Sequence, residues 1–264
     1  MAAQEPMPKR FRVDRLWPDP QPDLDLDEAF RDLALPSPPP DRQVMVATNM
    51  VTSIDGRAQR MGTAEGLSGR ADRRLMRLYR AAYDAVGSGI GTLRATDFWS
   101  TLPPDLAEQR AASGRTPQPL SVVISGSGPV PMDRRWFGWD QPRLLVVGAE
   151  SPLASSDMAA PAGTELLIAP TSHPQPSWVL EQLAARGIGS WLLEGGPTTN
   201  AAFLSSGCLD ELYWTVGSRV LATDALPMVA PIRQGSPLAD SPREARLVSV
   251  HRSDDDLFLR YHFD

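Results

Sequence analysis

Three short segments hold residue types that could do chemistry. The first is Leu192-Leu193-Glu194-Gly195-Gly196-Pro197-Thr198-Thr199-Asn200. An apolar strand ends there in a carboxylate and two glycines, and a proline with hydroxyl residues then opens a helix. Glycine lets a ligand come close to the backbone and tolerates dihedrals closed to other residues. Proline suits the first helical turn, where an N–H would go unbonded anyway. The free N–H groups of that terminus, with the Thr198 and Thr199 hydroxyls, suit a phosphate or pyrophosphate. Glu194, closing a buried strand, is poorly placed to be an ordinary surface charge. Read locally, the segment fits an anion site and a plain strand–turn–helix equally well.

The second segment, Gly87-Ser88-Gly89-Ile90-Gly91-Thr92, follows Ala85-Val86. Its glycine spacing fails the G-x-G-x-x-G test for a dinucleotide fold, and no acidic residue stands in the matching context. Alone it reads as a turn. The third, Asn49-Met50-Val51-Thr52-Ser53-Ile54-Asp55-Gly56-Arg57, is a strand running into an Asp-Gly turn. Asp55 can there bond its own backbone.

The elements around these segments alternate. Val44 to Ala47, Ala85-Val86, Leu120 to Ile124, Leu144 to Val147, Leu166 to Ala169 and Trp191 to Leu193 are short apolar runs suited to buried strands. Leu75, Leu78, Tyr79 and Ala82 form the stripe of an amphipathic helix, with Asp72 near its positive end. Ser177 can cap a second helix through Val179, Leu180, Leu183 and Ala184, which Gly187 ends. Leu212 to Val216 and Leu257 to Phe263 read as later strands, the last alternating Leu257, Leu259, Tyr261 and Phe263. This order implies an α/β fold with a mixed sheet, and ligands at the C-terminal strand ends. Residues 1–42 read as an arm. It holds one short helix through Leu26, Phe30 and Leu33, a proline-rich linker at 35–40, and an apolar stretch from Phe11 to Trp17 that packs on the domain at 43–264.

Composition narrows the function. The net charge is −6 and no basic cluster marks a nucleic-acid surface. The arginines at 70, 73, 74, 77 and 80 spread around a helix. No apolar run reaches the roughly 18–20 residues of a membrane span, and the N-terminus shows no signal peptide. Cys208 stands alone, which fits a reducing, cytoplasmic setting. One cysteine with scattered His173, His251 and His262 cannot build the zinc site of a nucleobase deaminase, so no metal is expected and the histidines read as structural or surface residues.

Together the three segments, with Asp84-Ala85-Val86, Leu78-Tyr79-Arg80-Ala81 and Leu209-Asp210-Glu211-Leu212, resemble the reductase domain of the riboflavin-biosynthesis deaminase-reductase, the pyrimidine reductase family. The resemblance covers roughly residues 43–264 and is strongest to stand-alone members without the deaminase domain. It implies a dihydrofolate-reductase-like fold, three α/β/α layers around a mixed central sheet. It also implies NADPH as cofactor, a phosphorylated pyrimidine as substrate, hydride transfer to the ribosyl carbon, and a homodimer joined near Asp210 to Trp214, with Tyr213 and Trp214 shielded by the second copy. In that family Val51, Thr52 and Ser53 would line the nicotinamide. Thr92 and the run Gly195, Gly196, Pro197, Thr198 and Thr199 would hold the cofactor, with Ser125 and Ser127 toward its 2′-phosphate. Arg80 and Glu194 would hold the substrate, and Glu194 and Asp55 are the catalytic carboxylates. Glu194→Gln is then expected to lower turnover with little loss of stability. Departures from the pattern fall at Thr96 and Asp97, where the family has an acid four residues after the threonine. These two positions are also assigned to the substrate. Others fall at Ser125-Gly126-Ser127 and at Gly217-Ser218. Reduction of a related heterocycle such as a pterin, and a non-catalytic ligand-binding paralogue, are the alternative readings.

Overall fold

The computed structural model describes residues 10–31, 33–96, 99–155, 160–231 and 242–263; Asp97 lies outside the described residues. The strands are β1 (Arg12–Trp17), β2 (Gln21–Asp25), β3 (Met45–Thr52), β4 (Ala85–Gly89), β5 (Leu120–Ile124), β6 (Arg143–Val147), β7 (Thr164–Ile168), β8 (Ser190–Leu193), β9 (Glu211–Val216), β10 (Ala245–Ser253) and β11 (Asp256–Phe263). The helices are α1 (Leu26–Phe30), α2 (Arg70–Ala82), α3 (Ile90–Thr96), α4 (Pro104–Ala112), α5 (Pro152–Ser155), α6 (Pro176–Ala184) and α7 (Pro197–Ser205). The strands form one sheet in the order β2-β1-β10-β11-β9-β3-β8-β4-β5-β6-β7. From β9 to β7 every neighbouring pair is parallel, and from β9 outward to β2 every pair is antiparallel.

The apolar runs are continuous because parallel strands buried on both faces are apolar at most positions. Met45 and Ala47 face one core with Leu75, Leu78 and Tyr79 of α2, while Val44 and Val46 face the other with Leu180, Leu183 and Phe203. Helices therefore cover both faces, giving three layers. Buried or bonded carboxylates set the register. Asp84 accepts from the Gly189 and Ser190 N–H groups and the Ser190 hydroxyl, each at 3.0 Å, which fixes the start of β4 against β8. Asp210 accepts from the Val46 N–H at 2.8 Å and pairs with Arg42. Glu211 is gripped by Arg260 at 2.8 Å and by the Tyr213 hydroxyl at 2.8 Å. A buried carboxylate is tolerable only with this kind of full satisfaction.

Several expectations change. Ser177 does not cap α6, which starts at Pro176 after Gln175 and has no side-chain cap; proline takes the first turn instead. The stretch from Phe11 to Trp17 does more than pack: β1 pairs with β10, so the arm widens the sheet. Tyr213 is buried within its own chain, stacked on Tyr79 and bonded to the Tyr83 hydroxyl at 3.0 Å, while only Trp214 is half-exposed. Alternation turns Tyr213 toward the layer that holds α2. In β11 the buried apolar residue is Phe258, and Leu257, Leu259 and Tyr261 are half-exposed. Phe258 faces the helix-covered core, whereas the other three belong to neither core.

His251 of β10 packs against Phe30 of α1, with ring centroids 4.7 Å apart, and its Nδ1 is buried without a partner. Burial lowers its pKa from 6.5 to about 4, with Arg15 adding to the effect. The unfolded chain then binds a proton that the folded chain refuses between these values, so stability falls as pH drops through that window. Thermal unfolding followed from neutral pH to acid should show this loss, and His251→Gln should flatten it.

Candidate active site

The C-terminal ends of β3, β4, β5 and β8 open into a cleft of about 860 Å³. Such crevices are where open parallel sheets bind ligands. Met50 and Val51 of β3 line it, with Gly89, Ile90, Gly91 and Thr92 from the junction of β4 and α3, Glu194 to Thr199 beyond β8, and Gly126 beyond β5.

The backbone carries Glu194 there. Its N–H donates to the Gly87 carbonyl at 2.7 Å, and the Gly89 N–H donates to the Gly195 carbonyl at 2.9 Å, so the β4–β8 ladder runs on past the end of β8. Gly195 has φ +79°, a left-handed conformation that suits glycine, and the Gly195–Gly196 peptide is cis. Helix α7 then starts at Pro197 with no side-chain cap at Gly196, so its first N–H groups lack the usual side-chain acceptor. Asn200 ties α7 down: its amide donates to the Met228 carbonyl at 3.0 Å and its carbonyl lies 3.1 Å from the Thr48 hydroxyl. A Cβ on Gly89 would sit 2.1 Å from Thr199 Oγ1, so a larger residue there would have to displace the Thr199 hydroxyl.

On the facing wall Arg80 reaches from α2. Its Nε and Nη2 donate to the two Glu194 oxygens, both at 2.6 Å, and the side chains are only 4% and 9% exposed. The Arg80 guanidinium also lies over the Trp99 ring at 4.9 Å, and its Nη1 is buried with no hydrogen-bond partner among the described residues. This is a fork-to-fork pair that leaves one donor free.

Of the residues expected from sequence, Val51, Arg80, Thr92, Thr96, Glu194, Gly195, Gly196, Pro197, Thr198 and Thr199 line the cleft. Thr52, Ser53, Asp55 and Ser125 do not. Thr52 is buried and accepts from Trp214 Nε1 at 2.8 Å, and the Ser53 hydroxyl accepts from the Arg57 N–H at 3.0 Å. Ser125 is buried between cleft residues Ile124 and Gly126, its hydroxyl without a partner. Asp55 sits on an exposed loop, where the Leu221 and Ala222 N–H groups donate to it at 3.0 and 2.9 Å. The Ser53 hydroxyl and these bonds hold its pKa down to about 2. Asp55 thus ties two loops together outside the cleft, in place of the catalytic position expected for it. Sequence reasoning passed over Met50, Asp72, Met76, Trp99 and His173, all of which line the cleft. The spacing of Asp72, Met76 and Arg80 on α2, one residue every fourth, is the signal that could have found two of them.

The ion pair also revises the expectation for Glu194→Gln. Removing one partner of a buried pair costs about 3–5 kcal/mol, because the other charge is left uncompensated. Glu194→Ala should lose stability on that scale in denaturant titration. Glu194→Gln should lose less, since its carbonyl still accepts one N–H. The double variant with Arg80→Ala should recover part of the loss.

The sequence matches the RibD C-terminal domain family over residues 44–258. It is 28% identical over 169 residues to the 2,5-diamino-6-ribosylamino-4(3H)-pyrimidinone 5′-phosphate reductase of Archaeoglobus fulgidus, an alignment covering 63% of this chain and 77% of that protein. It is 31% identical over 195 residues to riboflavin biosynthesis protein RibD of Mycobacterium tuberculosis, covering 73% of this chain and 44% of that one. Among solved structures, a pyrimidine reductase-like protein from Corynebacterium diphtheriae superposes with a TM-score of 0.72 at 22% identity, over 90% of this chain and 98% of the other. The match spans both walls of the cleft and the strands that carry them, and the chain belongs to the RibD C-terminal domain family.

Proposed function

We propose that this chain is an NADPH-dependent reductase that acts on a phosphoribosylated aminopyrimidine, the substrate class that the name of the Archaeoglobus fulgidus relative states for that protein. The observation that carries the reading is the uncapped start of α7. It opens onto the cleft beside Gly89 and Thr92, and the Arg80–Glu194 pair lines the same cleft.

The residues fit a dinucleotide. Gly196 to Thr199 would hold the pyrophosphate on free N–H groups and hydroxyls. The space kept by Gly89 leaves Thr199 room at the sheet, and Thr92 adds a hydroxyl. Met50 and Val51 offer an apolar wall to the nicotinamide. The turn after β5, which enters the cleft at Gly126 next to the buried Ser125, is the candidate for the 2′-phosphate side. When bound, the cofactor supplies hydride. The protein aligns the reacting carbons and keeps water away. Arg80 and Glu194 meet the substrate together: the free Nη1 suits a phosphate or sugar oxygen, and the carboxylate suits ring N–H donors.

The proposal includes a homodimer. Trp214, Leu259 and Val250 are neighbours across β9, β11 and β10, as are Leu212, Tyr261 and Leu247. Most of these side chains are half-exposed. A second copy seated on this sheet face would cover them.

Purified protein with NADPH and the phosphoribosylated diaminopyrimidinone, or its deaminated uracil counterpart, should lose dihydronicotinamide absorbance. NADH should bind more weakly in calorimetry. Equal affinities would count against the 2′-phosphate assignment. Gly89→Ala should weaken NADPH binding through the clash with Thr199. Light scattering should give twice the chain mass, and Trp214→Arg should shift it toward the monomer.

A further inference from the structure

Asp72 is a cleft carboxyl set back from the surface and, among the described residues, without a cation partner. It lies on α2 in line with Met76 and Arg80, and the three span about 12 Å along one helix face at 1.5 Å per residue. All three line the cleft. Glu194, by contrast, commits both oxygens to Arg80, Glu65 sits exposed at the rim, and His173 is exposed beyond β5. Among the described residues no arginine, lysine or histidine lies within ion-pair distance of Asp72. Its partners are two hydroxyls: Thr215 donates to Oδ1 and Ser68 to Oδ2, both at 2.6 Å. Thr215 is the register partner of Val51, so the carboxyl sits beside the strand end proposed to face the nicotinamide.

Hydroxyls differ from guanidinium partners in one respect. A serine or threonine O–H can donate to a carboxylate and, after rotation, accept from a carboxylic acid. The Asp72 site therefore satisfies both protonation states without rearrangement. Arg73 on the same helix favours the charged form and Asp256 of β11 opposes it. The largest influence is burial, which raises the Asp72 pKa above the ordinary aspartate value of 3.8.

Resting on the reductase reading above, we infer that Asp72 is the proton donor of the reduction. Hydride bonds to the sugar carbon of a C=N bond. The π pair moves to the nitrogen, which takes the proton from the Asp72 carboxyl. The carbon is reduced, the dihydronicotinamide is oxidised, and the Asp72 carboxylate regains a proton from solvent. The sum is one hydride and one proton added across the double bond.

The test compares wild type with Asp72→Asn, which keeps the shape and removes the acid. In wild type, kcat at saturating NADPH and substrate should fall as pH rises through the Asp72 pKa. In Asp72→Asn it should be lower by about 10²–10⁴-fold, the usual contribution of a positioned general acid, and should lack that titration. NADPH affinity by fluorescence should be unchanged. Infrared difference spectra of the protein without cofactor should show a protonated carboxyl band that titrates with pH and is missing from Asp72→Asn. Thr215→Val, which removes one donor to the carboxylate, should move the midpoint to higher pH. A variant profile parallel to wild type, a missing infrared band, or an unmoved Thr215→Val midpoint would each overturn the assignment. A wild-type protein that never oxidises NADPH with these pyrimidines counts against the reductase reading, and the infrared titration still decides the protonation of Asp72.

Discussion

The Arg80 guanidinium and the Glu194 carboxylate meet where almost no water reaches them. Neither charge could be held there alone, since an unpaired buried ion costs several kcal/mol. The pair therefore fixes α2 against the extended end of β8. Fixing α2 places Asp72 and Met76 on the same wall, and fixing the end of β8 places Gly195 and Gly196 at the entrance to α7. The Trp99 ring over Arg80 closes the outer side. The two charges of the pair cancel and the Nη1 N–H groups stay unspent, so a ligand gains a directed donor from a neutral pair.

Behind the cleft the same logic of satisfied carboxylates recurs with a different outcome. Asp84, Asp210 and Glu211 belong to sequence segments that carry the family likeness, yet each is spent on register. Asp84 joins β4 to β8, Asp210 anchors the start of β3, and Glu211 is locked between Arg260 and Tyr213. Register matters because one residue of slip turns every side chain to the opposite face. Gly87 shows how tightly the strands are drawn together: a Cβ there would meet the Val122 carbonyl at 2.5 Å and Trp191 Nε1 at 2.7 Å.

The buried strands were legible because parallel strands covered on both faces are apolar at most positions, and the runs at β5, β6 and β8 match to within a residue. Helix α2 was legible from its stripe. The cofactor wall was legible because Glu194 to Thr199 is continuous in sequence. What was hidden was long-range. No local pattern in residues 12–25 announces β1 and β2, since their side chains are mostly polar or exposed and their pairing is long-range, β1 on β10 and β2 on β1. Strand β10 was hidden likewise, its side chains mostly half-exposed or exposed. Asp55 and Glu194 share a catalytic assignment through the family likeness, although Asp55 reads locally as a turn residue and Glu194 as the end of a buried strand. The fold brings them different partners, two loop N–H groups in one case and a guanidinium in the other. Asp72 looked like a helix-dipole residue, and only the placement of Thr215 beside it gives it another meaning.

The position of β3 in the sheet also governs the order of assembly. It is the first strand of the parallel block in the chain, but its two neighbours are β8 and β9, whose residues follow it by well over a hundred positions. During synthesis β3 emerges early and has no partner until the ribosome has passed residue 193, the end of β8. Its two apolar faces must wait, shielded by transient collapse or by chaperones, while the β4 to β7 side can pair locally. Closing so long a loop is slow in the way that distant pairings are slow. The gap between β4 and β3 is filled only when β8 arrives, so the ligand cleft comes into being with the insertion of a single late strand.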